Sequence, residues 1–280
     1  MPVEIGVHTW LEPVFPEPEV KIPELVAQGV TAIEDGYPFF VTYPVRTVEQ
    51  NCRLLSEAKI KLWSVHAPFG DEFSLCHSDK AVRCSAVEYH KFVLARAALG
   101  GAPVVVIHPG NGVQPDRSEE AVPLLLDSLD ELLPVAQQLR IRLALENLPF
   151  HCLGSDARAL RRVVDTMDSE WLGVCFDTGH AHVAGGLMQS MEILKDKIIT
   201  FHLADNDGTR DLHLQPGHGS IPWDDFLGLF STMDFRDPVV VEARPWGGDG
   251  YAQQIKEVTA LLAGRLLTLN VNQRTVKAHC

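Results

Sequence analysis

Ile141-Arg142-Leu143-Ala144-Leu145-Glu146 is a short apolar run, broken by one arginine and closed by an acid. Two more such runs follow it, Leu172-Gly173-Val174-Cys175-Phe176-Asp177 and Ile198-Ile199-Thr200-Phe201-His202. Between them the chain shows helical periodicity, at 155–167 and 188–197. The apolar side chains occupy successive positions more than alternate ones, as strands of a parallel sheet covered on both faces require. Working outward, the same unit recurs, with strands expected at 3–8, 30–34, 60–66, 104–108, 141–146, 172–177, 198–202 and 239–242. The helices are expected at 22–28, 47–58, 78–99, 118–139, 155–167, 188–197, 223–233 and 250–262. Ser118 before Glu119 and Glu120, and Ser155 before Asp156, supply N-terminal caps. Eight β-then-α units in 280 residues predict an α/β fold, a single (β/α)8 TIM barrel over 1–265 with a C-terminal tail at 266–280. A doubly wound open sheet would carry a glycine fingerprint after its first strand, where this chain has His8-Thr9-Trp10-Leu11-Glu12-Pro13.

Composition agrees with one large core. Apolar residues make up 46% and charged residues 22%, with 21 Gly and 18 Pro, which excludes disordered, collagen-like and coiled-coil chains. The balance of 24 basic and 37 acidic residues gives −13, without a run of Lys or Arg. Nucleic acid is therefore disfavoured as a partner, because neutralising phosphates needs a basic stripe or bound cations. The six cysteines, Cys52, Cys76, Cys84, Cys152, Cys175 and Cys280, form no C-x-x-C pair and read as reduced thiols. The opening Met1-Pro2-Val3-Glu4-Ile5-Gly6 shows no positive n-region followed by an apolar h-region, and no stretch approaches 18 uninterrupted apolar residues. A cytoplasmic protein with no membrane partner is expected.

The strand ends carry the chemistry. They are His66, His108, Glu146, Asp177 with His180 close behind, His202 and Glu242. In a parallel barrel all of them lie on one rim, where active sites are built. A single histidine there is usually structural, but converging buried acids and imidazoles would cost several kcal/mol per uncompensated charge. A divalent cation resolves the conflict, and oxygen and imidazole donors without thiolate suit zinc, manganese, cobalt or magnesium. Trp10, Phe39, Phe40 and Trp246 follow strands on the same side and either wall a ligand's apolar face or cap the core. Arg210 and Arg244 suit a carboxylate or phosphate, or surface ion pairs. No G-x-S-x-G elbow and no Walker loop is present.

His66-Ala67-Pro68, His108-Pro109-Gly110, Glu146-Asn147, Asp177-Thr178-Gly179-His180, His202-Leu203-Ala204-Asp205, Asp211-Leu212-His213 and Pro216-Gly217-His218-Gly219 together resemble the xylose-isomerase-like barrel superfamily. That group contains sugar phosphate isomerases and epimerases, inosose-processing enzymes and the endonuclease IV type of apurinic nuclease. The resemblance runs in order from His66 to Glu242 and implies a central metal held by Glu146, Asp177, His202 and Glu242. It also implies that His66, His108, His180, Asp211 and His213 are further ligands, as in trinuclear nucleases, or orient substrate and ligands, as in mononuclear isomerases. One divalent ion is expected, and the ligand count extends to three.

Two departures separate this chain from the nucleases. Their His-x-x-Tyr is replaced by His66-Ala67-Pro68-Phe69, and the loop Glu34-Asp35-Gly36-Tyr37-Pro38-Phe39-Phe40 lacks their arginine, the first being Arg46. The loop from Asp205 to Trp223 is similar to that of sugar isomerases, except for His218 where an acid is common. The resemblance therefore implies a metal-dependent isomerase or epimerase of a ketose, inosose or related polyol, with or without phosphate, through a cis-enediolate. Glu146 and Glu242 are then the catalytic pair, and Trp10, Arg210, Arg244 and Trp246 contact the small-molecule substrate; the chain could also form a homo-oligomer. The alternatives are an endonuclease IV-like trinuclear zinc phosphodiesterase acting on abasic DNA, and a degenerate metal-binding barrel.

Overall fold

The computed structural model describes residues 3–9, 17–36, 43–110, 118–149, 152–244 and 250–263. Eight parallel strands close into one barrel in chain order: β1 Ile5–His8, β2 Ala32–Gly36, β3 Lys61–His66, β4 Val104–Ile107, β5 Arg142–Glu146, β6 Leu172–Asp177, β7 Ile198–Leu203 and β8 Val239–Val241. The ring is sealed by β1 against β8, with Ile5 opposite Val239 and Val7 opposite Val241.

The apolar runs resolve into two layers, because successive side chains on a strand point to opposite faces. Leu143, Leu145, Val174, Phe176, Phe201, Leu203, Val239 and Val241 belong to the core between barrel and helices. Ala32, Trp63, Val104, Val106, Ala144, Cys175 and Val240 form a separate cluster that fills the barrel itself. This parity decides the site. Glu146 lies two residues beyond Ala144, Asp177 two beyond Cys175, and Glu242 two beyond Val240, so each turns inward at the barrel mouth.

The helices of the described residues are α1 Pro18–Ala27, α2 Val45–Glu57, α3 Lys80–Gly100, α4 Ser118–Leu139, α5 Ala157–Met167, α6 Thr178–Val183, α7 Leu187–Leu194, α8 Trp223–Phe230 and α9 Gly250–Leu262. The cap of α5 falls on Asp156, whose Oδ1 accepts the Arg158 amide at 2.9 Å, because residues Leu153–Ser155 form a 3-10 turn and Ser155 Oγ donates back to Cys152 O. Helix α6 is an addition to the sequence reading; six residues carry no detectable period, and it starts because Asp177 Oδ1 accepts the His180 amide at 2.6 Å. The expected tail at 266–280 lies outside the described residues. Among those described, no helix is long and apolar enough to cross a membrane.

Candidate metal centre

Nine of the side chains singled out at the strand ends and in the loop after β7 gather at the mouth of the barrel. His66 ends β3, His108 follows β4, Glu146 ends β5, Asp177 ends β6, His202 sits on β7 and Glu242 follows β8; His180 comes from α6, and Asp211 and His213 from the loop after β7. They fall into three groups whose donor atoms lie within 4.8 Å of one another: His66, His108 and Glu146; Glu146, Asp177, His202 and Glu242; and His180, Asp211 and His213.

Glu146 joins the groups. Its Oε2 lies 3.2 Å from His66 Nε2 and 3.1 Å from His108 Nε2. Its Oε1 lies 3.1 Å from His202 Nδ1 and 3.3 Å from His180 Nδ1. The same His202 Nδ1 is 2.9 Å from Glu242 Oε2 and 4.0 Å from Asp177 Oδ2. On the far side, Asp211 Oδ2 stands 3.3 Å from His180 Nε2 and 3.0 Å from His213 Nε2.

Local structure fixes these atoms. Asn147 staples the ends of β5 and β6, donating from Nδ2 to Asp177 O at 2.9 Å and accepting the Asp177 amide at 2.8 Å. The loop after β7 is tied to Asp205, which accepts hydrogen bonds from the amides of Asn206, Gly217 and Ile221 and from Trp223 Nε1. Gly217 has φ +88 there, and a Cβ on Gly219 would stand 2.2 Å from Asp205 Oδ1, so both glycines of Gly217-His218-Gly219 are needed for the loop to close on that carboxylate. His213 adopts φ +46, an uncommon backbone for a histidine, with its ring Nδ1 3.0 Å from Glu242 O.

The centre is largely buried and rich in ionisable groups. Asp177 and His202 are fully buried and Glu146 is 1% exposed. Burial works against the charge on Glu146, but the His202 imidazole and hydrogen bonds from His108, His180 and His202 outweigh it and hold the carboxyl well below its ordinary range. Burial likewise opposes the charge on Glu242, and His202 overcomes it, leaving the group lowered. For Asp177 burial wins and pushes the pKa up to about 7. Burial pulls His202 down, yet the acids around it, Cys175, Glu34, Glu242 and Glu146, raise it well above an ordinary histidine. His213 is raised to about 9, burial being outweighed by its hydrogen bond to Asp211 and the charges of Glu242, Asp211 and Asp177.

This donor set fits a divalent cation. Three carboxylates converge on one imidazole, and the buried Asp177 Oδ2 and Glu242 Oε2 receive no hydrogen bond. Such atoms cost free energy unless a cation or proton serves them. Hard oxygen donors with imidazole, and no thiolate within the groups, suit zinc, manganese, cobalt or magnesium.

Other expected residues stand apart or fall outside the description. Trp10 and Trp246 lie outside the described residues, as do Phe39 and Phe40. Arg210 is exposed on the loop after β7, 3.8 Å from Asp207 Oδ2, and Arg244 is exposed two residues beyond Glu242, its amide donating to His213 O. Phe69 is 57% exposed at the mouth and stacks on His108, with ring centroids 4.8 Å apart and an 18° interplanar angle. The sequence reading gave no role to His8 and Glu34. Glu34 Oε1 lies 3.0 Å from His202 Nε2 and 3.3 Å from His8 Nε2, in full burial. Its signal was the one that found the others, an acid at the end of an expected strand.

A family model described as xylose isomerase-like TIM barrel matches residues 22–261. The chain belongs to that family. An uncharacterised protein of Methanocaldococcus jannaschii, MJ1311, is 32% identical over 187 residues, 64% of this chain and 63% of its own length, so the match spans less than two thirds of that relative. A probable endonuclease 4 of Acholeplasma laidlawii is 27% identical over 227 residues, 74% of this chain and 76% of that one. Among solved structures, a D-tagatose 3-epimerase-like protein superposes with a TM-score of 0.80 at 24% identity, over 94% of this chain and 98% of that chain. The TTHB071 protein of Thermus thermophilus, soaked with zinc chloride, gives 0.73 at 27% identity over 94% and 98%. The chain is thus similar in sequence to a probable endonuclease 4 and in fold to an epimerase-like protein.

Proposed function

We propose that this xylose isomerase-like barrel is a metal-dependent isomerase or epimerase of a small ketose, inosose or related polyol. The observation that carries the reading is the pairing of Glu146 and Glu242. They are buried carboxylates from the ends of β5 and β8, strands separated by β6 and β7, both held ionised and both within 3.1 Å of His202 Nδ1. Glu146, Asp177, His202 and Glu242 would hold the ion, which when bound supplies a Lewis acid for a carbonyl and its neighbouring hydroxyl. A substrate seated at the mouth then meets one carboxylate on each side. One carboxylate oxygen takes the proton from the carbon next to the carbonyl, and the other carboxyl, having first taken a proton from solvent, delivers it from the opposite side. The exposed face of Phe69 offers a sugar's C–H face an apolar platform beside His108. The resemblance to an epimerase-like structure supports the fold of such an enzyme, and the five described cysteines, all free thiols, support a reducing, cytoplasmic setting.

A second reading has its own observation. His66 with His108, and His180 with Asp211 and His213, are two further assembled groups, more than a one-ion proton transfer uses. They favour a hydrolase of phosphate diesters with three ions, in line with the endonuclease 4 relatives.

The test is a panel of ketoses, inososes and their phosphates, turned over by metal-loaded protein in heavy water and read by nuclear magnetic resonance. Proton transfer places deuterium at the carbon next to the carbonyl, and Glu242→Gln abolishes turnover. Turnover without deuterium overturns the proton-transfer reading. An inactive panel, with three zinc ions per chain and nicking of abasic duplex, establishes the second reading in its place.

A further inference from the structure

Behind His202, on the side away from Glu146, Asp177 and Glu242, lies a buried carboxylate. Glu34 is fully buried on β2, with Oε1 3.0 Å from His202 Nε2 and 3.3 Å from His8 Nε2. Its other oxygen accepts a hydrogen bond from Ser64 Oγ on β3. Ser64 therefore fixes one oxygen, the other stands within ion-pair distance of both rings without a hydrogen bond formed to it, and His202 is placed between two sets of acids, one at each ring nitrogen.

We infer that Glu34 is a positioning residue for the metal centre, holding the His202 ring so that Nε2 keeps its proton and Nδ1 offers its lone pair to an ion among Glu146, Asp177 and Glu242. The inference rests on the reading of those four residues as an ion site, and on neither of the two reactions. An imidazole can turn about its Cβ–Cγ bond and exchange its edges, and a neutral ring has two tautomers. A lone pair on Nε2 facing a buried carboxylate at 3.0 Å would be repelled, whereas an N–H there is attracted. Only one edge and one tautomer satisfy Glu34, and that combination leaves Nδ1 as the donor. A carboxylate behind a ligating histidine also raises the electron density of the ring, and loss of such a partner weakens metal binding on the order of 10–100-fold.

A purely structural Glu34 would matter to stability and leave affinity alone, so the control must be a neighbour of equal burial. Asp35 is the next residue, also fully buried, and its Oδ1 accepts hydrogen bonds from Thr9 Oγ1 at 2.9 Å and the Gly36 amide at 3.0 Å, away from His202. Zinc affinity is measured by competition with a chromogenic chelator on folded native chain, Glu34→Gln and Asp35→Asn. The expected result is weakening on the order of 10–100-fold for the tightest ion in Glu34→Gln, with native affinity in Asp35→Asn. Because Glu34→Gln can fail to fold, the second measurement uses the native chain: nitrogen-15 resonance of the zinc-loaded protein, in which His202 should show its proton on Nε2. Equal affinity in Glu34→Gln, or a proton on Nδ1 of His202 in the loaded chain, overturns the role of Glu34 alone. A native chain that binds no zinc, manganese, cobalt or magnesium overturns the ion site and this inference with it.

Discussion

Asp205→Asn should loosen the loop that delivers Asp211 and His213. Asp205 is fully buried and accepts four hydrogen bonds, two at each oxygen. Oδ1 takes the amides of Asn206 at 2.8 Å and Ile221 at 3.2 Å, and Oδ2 takes the amide of Gly217 at 3.0 Å and Trp223 Nε1 at 2.8 Å. An asparagine can present its oxygen to one pair only. Whichever way the amide turns, its NH2 faces two donors, so two hydrogen bonds are lost and two donors are left unserved. Bonds to a charged acceptor contribute roughly 1.5–3 kcal/mol each, which places the loss at about 3–6 kcal/mol. Against a total stability of about 5–15 kcal/mol for a folded domain, that is a large fraction. Urea unfolding should show the midpoint falling accordingly, and the amides of Gly217 and Ile221 should exchange with heavy water faster than those of β7. Zinc capacity should also fall at the group formed by His180, Asp211 and His213 before it falls at the group formed by Glu146, Asp177, His202 and Glu242. A variant within about 1 kcal/mol of native, with unchanged exchange at Gly217, would refute the idea that this carboxylate organises the loop.

Asp35 carries a pKa of about 7 against an ordinary 3.8, mainly because burial disfavours its charge, so the folded state holds its proton over a range where the unfolded chain has released it. That contribution is fully present below 3.8 and is lost as pH rises through about 7, by up to roughly 4 kcal/mol. Asp35→Asn mimics the protonated form, and its urea midpoint should decline less than that of the native chain between pH 5 and pH 8; parallel declines would defeat the assignment. Phe201 on β7 is fully buried, with Phe235 at 4.9 Å, Phe230 at 5.3 Å and Phe176 at 6.0 Å between ring centroids. Phe201→Ala should lose about 3–5 kcal/mol in the same measurement, and a loss under 1 kcal/mol would mean that the cluster repacks freely.

Much of the site was legible because strand ends are a local signal. A run such as 141–146 announces a strand buried on both faces, its closing acid falls where the run meets the rim, and Leu172–Asp177 repeats the logic to the residue. The boundaries moved where a neighbour supplied what the local pattern could not. β7 extends to Leu203, and α1 begins at Pro18 rather than Ile22 because a proline suits the first turn of a helix. Glu34 carried the same end-of-strand signal as Glu146, yet its meaning depended on His202, which lies far along the chain.

The sequence by itself determined that eight strand-and-helix units exist, that they run parallel and that acids and imidazoles meet at one rim. These follow from patterns a few residues long, whose periods reflect which faces of each element are buried. Only the tertiary structure decided that Glu146 gives one oxygen to His66 and His108 and the other to His202 and His180, that Asp205 ties the loop carrying Asp211 and His213, and that Glu34 stands behind His202. The pleat tells each strand-end side chain whether to face inward. Which atom it then meets depends on the register of all eight strands as the ring closes, and on loops that cross between them, sums over long-range contacts that no local stretch of sequence contains.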